Sequence, residues 1–180
     1  GLWTFVNPVG DKTYSLDGRS LFLNVPANVS HNIWADGNRS VRMMQPTQDV
    51  NFEILAKFES TVTKRYQMQG VLVEQDSQNY LRFEVHFDGS SNRLYVARIQ
   101  NGNPKAIINQ VYLTTTPAYL RITRVGQLWS FSSSDDGQQW LAAGSFNYSL
   151  TVNRSGVFGA NHGTLPNLPA PAHTAIVDYF

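Results

Sequence analysis

Apolar and polar side chains alternate with a period of two through most of this chain, and that pattern constrains its fold more than any other feature. The alternating stretches are short and are separated by Gly, Asn, Asp and Pro residues that favour turns. No stretch of about eleven residues or more carries the 3.6-residue apolar stripe of a core-facing helix. The sequence therefore predicts an all-β protein.

Thirteen strands are predicted from this alternation. They are Thr13–Leu16, Ser20–Val25, Val41–Gln45, Asn51–Glu59, Met68–Gln75, Tyr80–Phe87, Arg93–Gln100, Ala106–Tyr112, Ala118–Val125, Leu128–Ser134, Gln139–Phe146, Ser155–Ala160 and Thr174–Phe180. Short strands at this spacing, without crossover helices between them, indicate two packed antiparallel sheets in a jelly-roll-like sandwich. The proline-rich segment Thr164–Ala172 is predicted to be an extended surface connection to the last strand.

Length and charge limit the classes of partner. The 180 residues fit one sandwich domain, residues 1–180, and a net charge of +1 gives no field to attract nucleic acid. Apolar runs are only strand-length, so no membrane span is predicted. The absence of cysteine excludes disulfides and thiolate sites. Because the chain opens at Gly1 without a methionine, we expect it to be a module covalently linked to other domains.

The segment GVLVEQDSQNYLRFEVHF, residues 70–87, reads as a hairpin. A three-residue loop Ser77–Asn79, with Asn79 in the left-handed conformation, would fix its register. The pairs predicted on the apolar face are Val73–Phe83 and Val71–Val85. The pairs predicted on the polar face are Glu74–Arg82, Leu72–Glu84 and Gly70–His86. This register predicts one charged face with a gap over Gly70.

A second hairpin is predicted to turn at Gly126-Gln127, which pairs Ile122 with Phe131 and Arg121 with Ser132. It is followed by SSDDGQQW, residues 133–140, which fits the Ser-x-Asp-x-Gly-x-x-Trp pattern of an Asp-box. Such a turn is structural, because its aspartate accepts backbone N–H bonds and its glycine takes a positive φ.

Glu74 and Asp76 lie where a retaining glycosidase of this architecture could carry two carboxylates on one strand. The pattern Glu-x-Asp-x-Glu is incomplete, because its third position is Gln78, which cannot ionise. Asp76 also lies where turns favour aspartate, and Arg82 is predicted opposite Glu74. We therefore predict no catalytic residues, and Glu74 is interpreted as a structural ion pair or a ligand contact.

Metal and nucleophile chemistry find little support. The four histidines His31, His86, His162 and His173 have no metal-ligand spacing, and no Gly-x-Ser-x-Gly elbow occurs. No cofactor is predicted. A structural calcium ion is left open, because Asp11, Asp17 and Asp178, near the two ends of the chain, could supply oxygen ligands. The presence of these aspartates is explained equally well by turns.

The segment HNIWADGNRSVRMMQP, residues 31–46, places Trp34 just before a turn. An exposed indole beside Arg39 or Arg42 would provide a stacking surface and paired donors for sugar rings. The alternative is that Trp34 caps the sandwich and Arg42 forms a buried ion pair. The sequence does not choose between these two interpretations. It also does not show whether Tyr95 or Arg98 of the strand Arg93–Gln100 faces the ligand, because both faces of that strand carry apolar residues.

Five segments spread over nearly the whole chain resemble a bacterial family of concanavalin A-like domains of unknown function. They are VNPVGDKTYSL, WADGNRSVRMMQP, YQMQGVLVEQDSQNYLRFE, YLRITRVGQLWSFSSSDDGQQW and VDYF. That family is related to the yeast regulation-of-enolase protein and, more distantly, to the C-terminal sandwich of two-domain β-xylosidases. The resemblance implies a concanavalin A-like jelly roll of two antiparallel sheets, often one module of a large protein that is secreted or on the cell surface. It supplies no catalytic residues.

The leading hypothesis is a non-catalytic carbohydrate-binding module that holds a polysaccharide or oligosaccharide on a concave sheet face. Its predicted ligand-binding residues are Trp34, Arg42, Glu74, Arg82, Glu84 and His86. Three alternatives stay open at this point: a glycoside hydrolase or lyase, a protein-interaction or adhesin module, and a structural spacer.

Overall fold

The computed structural model describes residues 2–112, 115–164 and 166–180, and this part of the chain forms strands without a helix. The strands are β1 (Thr4–Val6), β2 (Thr13–Leu16), β3 (Leu21–Val25), β4 (Ile33–Trp34), β5 (Gly37–Asn38), β6 (Val41–Pro46), β7 (Phe52–Phe58), β8 (Gln67–Asp76), β9 (Asn79–Phe87), β10 (Asn92–Gln100), β11 (Asn103–Tyr112), β12 (Tyr119–Val125), β13 (Leu128–Ser134), β14 (Leu141–Asn147), β15 (Arg154–Asn161) and β16 (His173–Tyr179). All thirteen predicted strands are confirmed, and the short β1, β4 and β5 were not predicted. Since the described residues contain no helix, none of them forms one that could cross a membrane.

Two antiparallel seven-stranded sheets pack face to face, as predicted. Sheet A has the order β1-β6-β15-β8-β9-β10-β11, and sheet B has the order β14-β13-β12-β7-β16-β3-β2. The strands β4 and β5 form a separate two-stranded hairpin. The fold is therefore an all-β sandwich, and consecutive strands β8 to β11 form a meander at one side of sheet A.

The main core lies between the two sheets and contains the inward-facing residues of the alternating strands. Phe83 of β9 is at its centre, with its ring centroid 6.0 Å from that of Trp129 and 5.7 Å from that of Phe131, both in sheet B. All three side chains are almost fully buried. Because alternate residues of a strand point to opposite faces, this core also fixes which residues of β9 face away from sheet B.

A second apolar cluster lies on the outer face of sheet A, which is the face turned away from sheet B. It contains Ile33, Met44, Met68, Leu72, Tyr80, Ile99, Phe158 and Ala160. All except Ile33 belong to strands of sheet A, and Ile33 comes from the β4–β5 hairpin, which therefore covers part of this face. Sheet A is consequently buried on both faces under the hairpin, and nearly every residue of β8 and β15 is buried.

The predicted register of the β8–β9 hairpin is wrong by two residues. The structure pairs Val71 with Phe83, Leu72 with Arg82, Gly70 with Glu84, Met68 with His86 and Glu74 with Tyr80. Asp76 pairs with Asn79 across the two-residue turn Ser77-Gln78, and a bulge lies between Glu74 and Asp76. Asn79 belongs to β9 and is not among the residues with positive φ.

The side chain of Asp76 explains this register. Its Oδ1 atom accepts hydrogen bonds from the backbone N–H of Gln78 at 2.8 Å and from Nδ2 of Asn79 at 3.0 Å. These bonds draw Asp76 and Asn79 into the turn, which shortens the loop. Because the error is an even number of residues, the predicted sorting of apolar and polar faces is nevertheless correct.

The predicted gap over Gly70 is also wrong. A Cβ atom at this position would lie 2.0 Å from the carbonyl oxygen of Phe83 and 2.7 Å from Cα of Glu84. The missing side chain thus allows the backbones of β8 and β9 to approach closely, and glycine is required here by packing rather than by an empty space.

The β12–β13 hairpin has the predicted register, with Ile122 opposite Phe131 and Arg121 opposite Ser132. In the turn that follows, Gly137 has a φ of +75°. Asp136, one residue after the aspartate of the predicted pattern, accepts the backbone N–H bonds of residues 138 and 139 at 2.8 Å. The turn is therefore structural, as expected.

The proline-rich connection runs largely over the surface, as predicted, and is held against the protein near its end. The carbonyl of Ala170 accepts a hydrogen bond from Asn28 N at 2.9 Å, and that of Pro171 accepts one from Nδ2 of Asn161 at 2.7 Å. Ala170 is buried. Leu165, within this segment, lies outside the described residues.

His173 of β16 couples stability to pH. Its Nε2 atom lies 3.1 Å from Oε1 of Gln69, and burial lowers its pKa to about 4. In the unfolded chain this ring binds a proton near pH 6.5, whereas in the folded chain it does so only near pH 4. The free energy of unfolding therefore falls as the pH is lowered from about 6.5 to about 4. We expect a loss of about 3 kcal/mol over this range from this residue.

Urea unfolding at a series of pH values measures this effect. The variant His173→Gln removes the titrating ring, so its free energy of unfolding is expected to fall less steeply over the same range than that of the unchanged protein. Parallel pH profiles for the two proteins would show that His173 does not carry the effect.

Candidate ligand-binding site

An open pocket of about 410 Å³ remains on the outer face of sheet A beside the β4–β5 hairpin. It is lined by Asn32, Trp34, Tyr66, Met68, Arg82, His86, Asp88, Arg93, Tyr95, Asn109 and His162. The lining residues that belong to sheet A come from β8 to β11, because alternation directs every second side chain of these neighbouring strands to the outer face. Several chain segments thus meet at one pocket.

The pocket floor contains a hydrogen-bonded network of Arg82, Glu84 and His86, in which Arg82 and Glu84 are buried. The Glu84 carboxylate accepts hydrogen bonds from Nε of Arg82 at 2.8 Å, from Nη2 of Arg82 at 2.5 Å and from Nδ1 of His86 at 2.9 Å. Glu84 is fully buried. Burial alone would raise its pKa, but the Arg82 guanidinium and the His86 hydrogen bond outweigh burial and hold the pKa below its ordinary value.

The network orients the rings above it. Because Nδ1 of His86 is bound to Glu84, its Nε2 atom is left without a hydrogen-bond partner among the described residues. Tyr95 lies 5.2 Å from the His86 ring, edge to face, and 5.4 Å from the Arg82 guanidinium. Tyr95 is therefore the residue of β10 that faces the pocket, whereas Arg98 lies on the other face beside Tyr148.

The β4–β5 hairpin is attached to the network below it. Nη1 of Arg82 donates a hydrogen bond to the carbonyl of Ile33, and Nδ2 of Asn38 donates one to Oε1 of Glu74 at 3.4 Å. Trp34, next to Ile33, is half-buried at the pocket rim. The position of the indole thus depends on a charged side chain of β9.

Glu74 and Arg42 form a separate ion pair under the hairpin. Nε of Arg42 lies 3.3 Å from Oε1 of Glu74, and both side chains are buried. The prediction that Arg82 lies opposite Glu74 is wrong, since Tyr80 occupies that position. Burial raises the pKa of Glu74 and outweighs the opposing effect of Arg42. Of the two interpretations of Arg42, the structure shows the buried ion pair.

The six predicted binding residues therefore separate into three groups. Trp34, Arg82 and His86 line the pocket. Glu84 lies beneath it, and Arg42 and Glu74 do not belong to its lining. Their contact with a ligand stays a prediction.

Sequence reasoning missed the pocket wall formed by Tyr66 and His162. Their rings lie 5.5 Å apart, and Nδ1 of His162 is 2.9 Å from Oγ of Ser30. Tyr66 precedes β8 and His162 follows β15, and these two strands are neighbours in sheet A. Burial lowers the pKa of His162, which favours the neutral ring. No local pattern in the sequence links these two residues.

Asp88 and Arg93 form the wall at the ends of β9 and β10. Nε of Arg93 lies 2.6 Å from Oδ2 of Asp88. The backbone N–H of Ser91 and the Arg93 side chain donate to the carboxylate and hold the pKa of Asp88 well below its ordinary value. This carboxylate is therefore ionised and already occupied.

The three aspartates considered as calcium ligands lie apart. Oδ2 of Asp178 is 2.6 Å from Nζ of Lys57, Oδ1 of Asp11 is 3.2 Å from Nε2 of His31, and Asp17 accepts the backbone N–H of Ser20 at 2.7 Å. Within residues 2–112, 115–164 and 166–180, no three acidic or histidine side chains form a group that could hold a metal ion.

An apolar cleft of about 470 Å³ lies elsewhere, where the first and last strands meet. Its lining includes the aromatic residues Trp3, Phe5, Tyr14, Tyr179 and Phe180. The ring centroids of Trp3 and Phe180 are 5.5 Å apart, so residues near the two ends of the chain are in contact.

Comparisons with known proteins agree on the fold. The family model described as the beta-xylosidase C-terminal concanavalin A-like domain matches residues 2–163. No curated protein matches the chain.

Three solved structures illustrate the likeness. A functionally unknown protein from Saccharomyces cerevisiae has a TM-score of 0.72 and 14% identity, over 98% of this chain and 92% of that chain. The GH43 protein BlXynB from Bacillus licheniformis has a TM-score of 0.69 and 18% identity, over 99% of this chain but 37% of its own. The carbohydrate-binding module CBM66 from Bacillus subtilis has a TM-score of 0.62 and 11% identity, over 97% and 95%. At identities this low, the structural likeness shows a shared fold alone.

Proposed function

We propose, because the chain belongs to the family of beta-xylosidase C-terminal concanavalin A-like domains, that it is a non-catalytic carbohydrate-binding module whose site is the pocket of sheet A. The observation that carries the proposal is the lining of this pocket. It combines the rings of Trp34, Tyr66 and Tyr95 with hydrogen-bonding groups of His86 and Asn109. Sugars present apolar ring faces and hydroxyl groups, and both find partners on such a lining.

The carboxylates favour binding over hydrolysis. Hydrolysis of a glycosidic bond uses two carboxyl groups beside the scissile bond, one of which must donate a proton. At this pocket Glu84 is buried in its network and Asp88 is ionised and occupied by Arg93. Glu74, whose pKa is raised, lies outside the pocket lining and pairs with Arg42. We therefore propose that the module binds a glycan without cleaving it.

The partners follow from this role. We propose that the glycan is a polysaccharide or oligosaccharide and that the module acts within a longer polypeptide, at the cell surface or outside the cell. The matched BlXynB chain supports the second part, since this chain spans little more than a third of it. Neither nucleic acid nor a membrane is part of the proposal.

A protein-contact role is the second candidate, and the apolar cleft favours it. Trp3, Tyr14, Leu16 and Tyr179 expose between 41% and 68% of their surface there. Exposed apolar patches of this kind mark contact surfaces for other proteins. The two candidates use separate surfaces, so variants distinguish them.

Tyr95→Ala is expected to weaken glycan binding by about tenfold or more, because it removes an aromatic ring from the pocket without touching the apolar cleft. Affinity electrophoresis against neutral, acidic and sulfated soluble polysaccharides identifies a bound glycan, and isothermal titration calorimetry then compares the variants. Thermal unfolding of each variant confirms that it is folded.

Tyr179→Ala is the matched control, since Tyr179 is an exposed tyrosine that lies outside the pocket lining. It is expected to bind glycan as the unchanged protein does. Unretarded migration in every polysaccharide would contradict the proposed function, and loss of binding in Tyr179→Ala but not in Tyr95→Ala would place the ligand at the apolar cleft.

A further inference from the structure

We infer that the pocket receives the uncharged terminal sugar of a glycan chain and does not bind the middle of a chain that passes through. This inference rests on the proposed function and deepens it. It follows from which sides of the pocket are closed, from the charge of its lining and from the groups that lack partners.

The β4–β5 hairpin closes the side of the pocket that faces the β8–β9 turn. Ile33 is fully buried and packs with the second apolar cluster, which includes Leu72 and Tyr80. The bonds from Arg82 to Ile33 and from Asn38 to Glu74 attach the hairpin at both of its strands. A glycan therefore cannot continue along the sheet in this direction.

Two further sides have walls. The Tyr66 and His162 rings, supported by Ser30, close the side toward β15. The Asp88–Arg93 ion pair joins the ends of β9 and β10. The fourth side lies at Asn109, on β11, which is the edge strand of sheet A. A chain that enters over this edge meets a wall opposite its entry.

The size of the pocket agrees with one end of a chain. Ligand pockets in proteins range from roughly 300 to 1,000 Å³, and this one, at about 410 Å³, is in the lower part of that range. Such a volume suits one or two sugar units, whereas a chain bound along its length needs an open track across the sheet.

The charges of the lining favour an uncharged sugar. Each of the two arginines has a carboxylate partner, Arg82 in Glu84 and Arg93 in Asp88. An acidic sugar would have to compete with these buried or partly buried carboxylates for the guanidinium groups. The lining groups without a hydrogen-bond partner in the described part of the chain include the Tyr95 hydroxyl, the Asn109 amide and Nε2 of His86, and these can bind the hydroxyl groups of an uncharged sugar.

A terminal sugar satisfies these groups better than an internal one. It keeps a hydroxyl that an internal unit uses for its next linkage. Burial raises the pKa of Tyr95, which keeps its hydroxyl protonated and able to donate at neutral pH. Nε2 of His86 lies on the same lining. Because unpaired polar groups in a site are costly, the extra hydroxyl contributes to specificity.

Competition with chains of different length tests the inference on the intact chain. The probes are soluble arabinoxylan, arabinan and galactomannan, each used whole and after partial hydrolysis to fragments about tenfold shorter, together with an acidic polygalacturonan. Binding is measured by titration calorimetry at equal mass of sugar. For a retained neutral polymer, shortening multiplies the chain ends, so the mass needed for half-saturation is expected to fall about tenfold.

The outcomes separate the inference from the proposed function. Half-saturation at an unchanged or greater mass after shortening would show internal binding and overturn the inference, while carbohydrate binding would stand. Retention of the acidic polymer alone would overturn the uncharged ligand and likewise leave the function intact. Failure of every polysaccharide to bind would overturn both.

Discussion

Glu84→Gln is expected to lower the free energy of unfolding by about 3–5 kcal/mol, because it leaves the Arg82 guanidinium buried without a counter-charge. Glutamine keeps the shape of the side chain, so the loss reports charge and hydrogen bonding rather than a cavity. Glu84 is fully buried, and its carboxylate accepts from two nitrogens of Arg82 and one of His86. Urea unfolding at neutral pH, followed by tryptophan fluorescence, measures the change.

Two companion variants make this result specific. Glu53→Gln changes an exposed glutamate of β7 and is expected to alter stability by less than about 0.5 kcal/mol. The double variant Arg82→Met with Glu84→Leu removes both charges and is expected to be more stable than Glu84→Gln alone. If Glu84→Gln and Glu53→Gln unfold at the same urea concentration, the buried network does not stabilise sheet A.

Gly70→Ala is expected to destabilise the protein by about 3 kcal/mol, at the upper end of the usual cost of overpacking. The added Cβ would lie 2.0 Å from the carbonyl oxygen of Phe83, which is backbone and cannot move without separating β8 from β9. These strands lie inside sheet A and carry both the main core and the pocket floor. Thermal unfolding and urea unfolding both measure this loss.

Gly159→Ala is the matched control for this substitution. Gly159 lies in β15 of the same sheet, and its added Cβ would meet Cβ of Ala175 at 3.1 Å and Cγ2 of Val25 at 3.3 Å. These are contacts with side chains, so small shifts relieve them and a smaller loss is expected. Equal losses for the two variants would show that the close approach of the backbones at Gly70 is not the cause.

The sequence was sufficient for thirteen of the sixteen strands and for the two faces of the β8–β9 and β12–β13 hairpins. Thirteen alternating stretches became strands, because alternation with a period of two directly reports burial on one face. The β8–β9 hairpin shows the limit of this pattern. Its register depends on the hydrogen bonds of one side chain, Asp76, and alternation cannot detect a shift of two residues. β4 and β5, with two residues each, are too short to show any periodicity.

The composition of the site was less predictable, because its contacts join distant parts of the chain. Glu74 pairs with Arg42 of β6, which enters sheet A two strands away from β8. The Tyr66–His162 wall depends on the neighbouring positions of β8 and β15. Trp34 was singled out because a turn follows it, and it does lie at the pocket rim. The role of Arg82 as an anchor for Ile33 required the covering hairpin, which no local signal revealed.

The way in which the β4–β5 hairpin is fastened has a consequence for protein engineering. Neither sheet includes its strands, and it is fastened through side chains that reach up from sheet A, namely Arg82 to Ile33 and Glu74 to Asn38. The tip between these two anchors, residues 34–37, can therefore be redesigned as an exchangeable loop on a constant scaffold. A library of tip sequences that retains the anchors would vary ligand preference while leaving the hydrogen-bonded ladders of the sandwich unchanged.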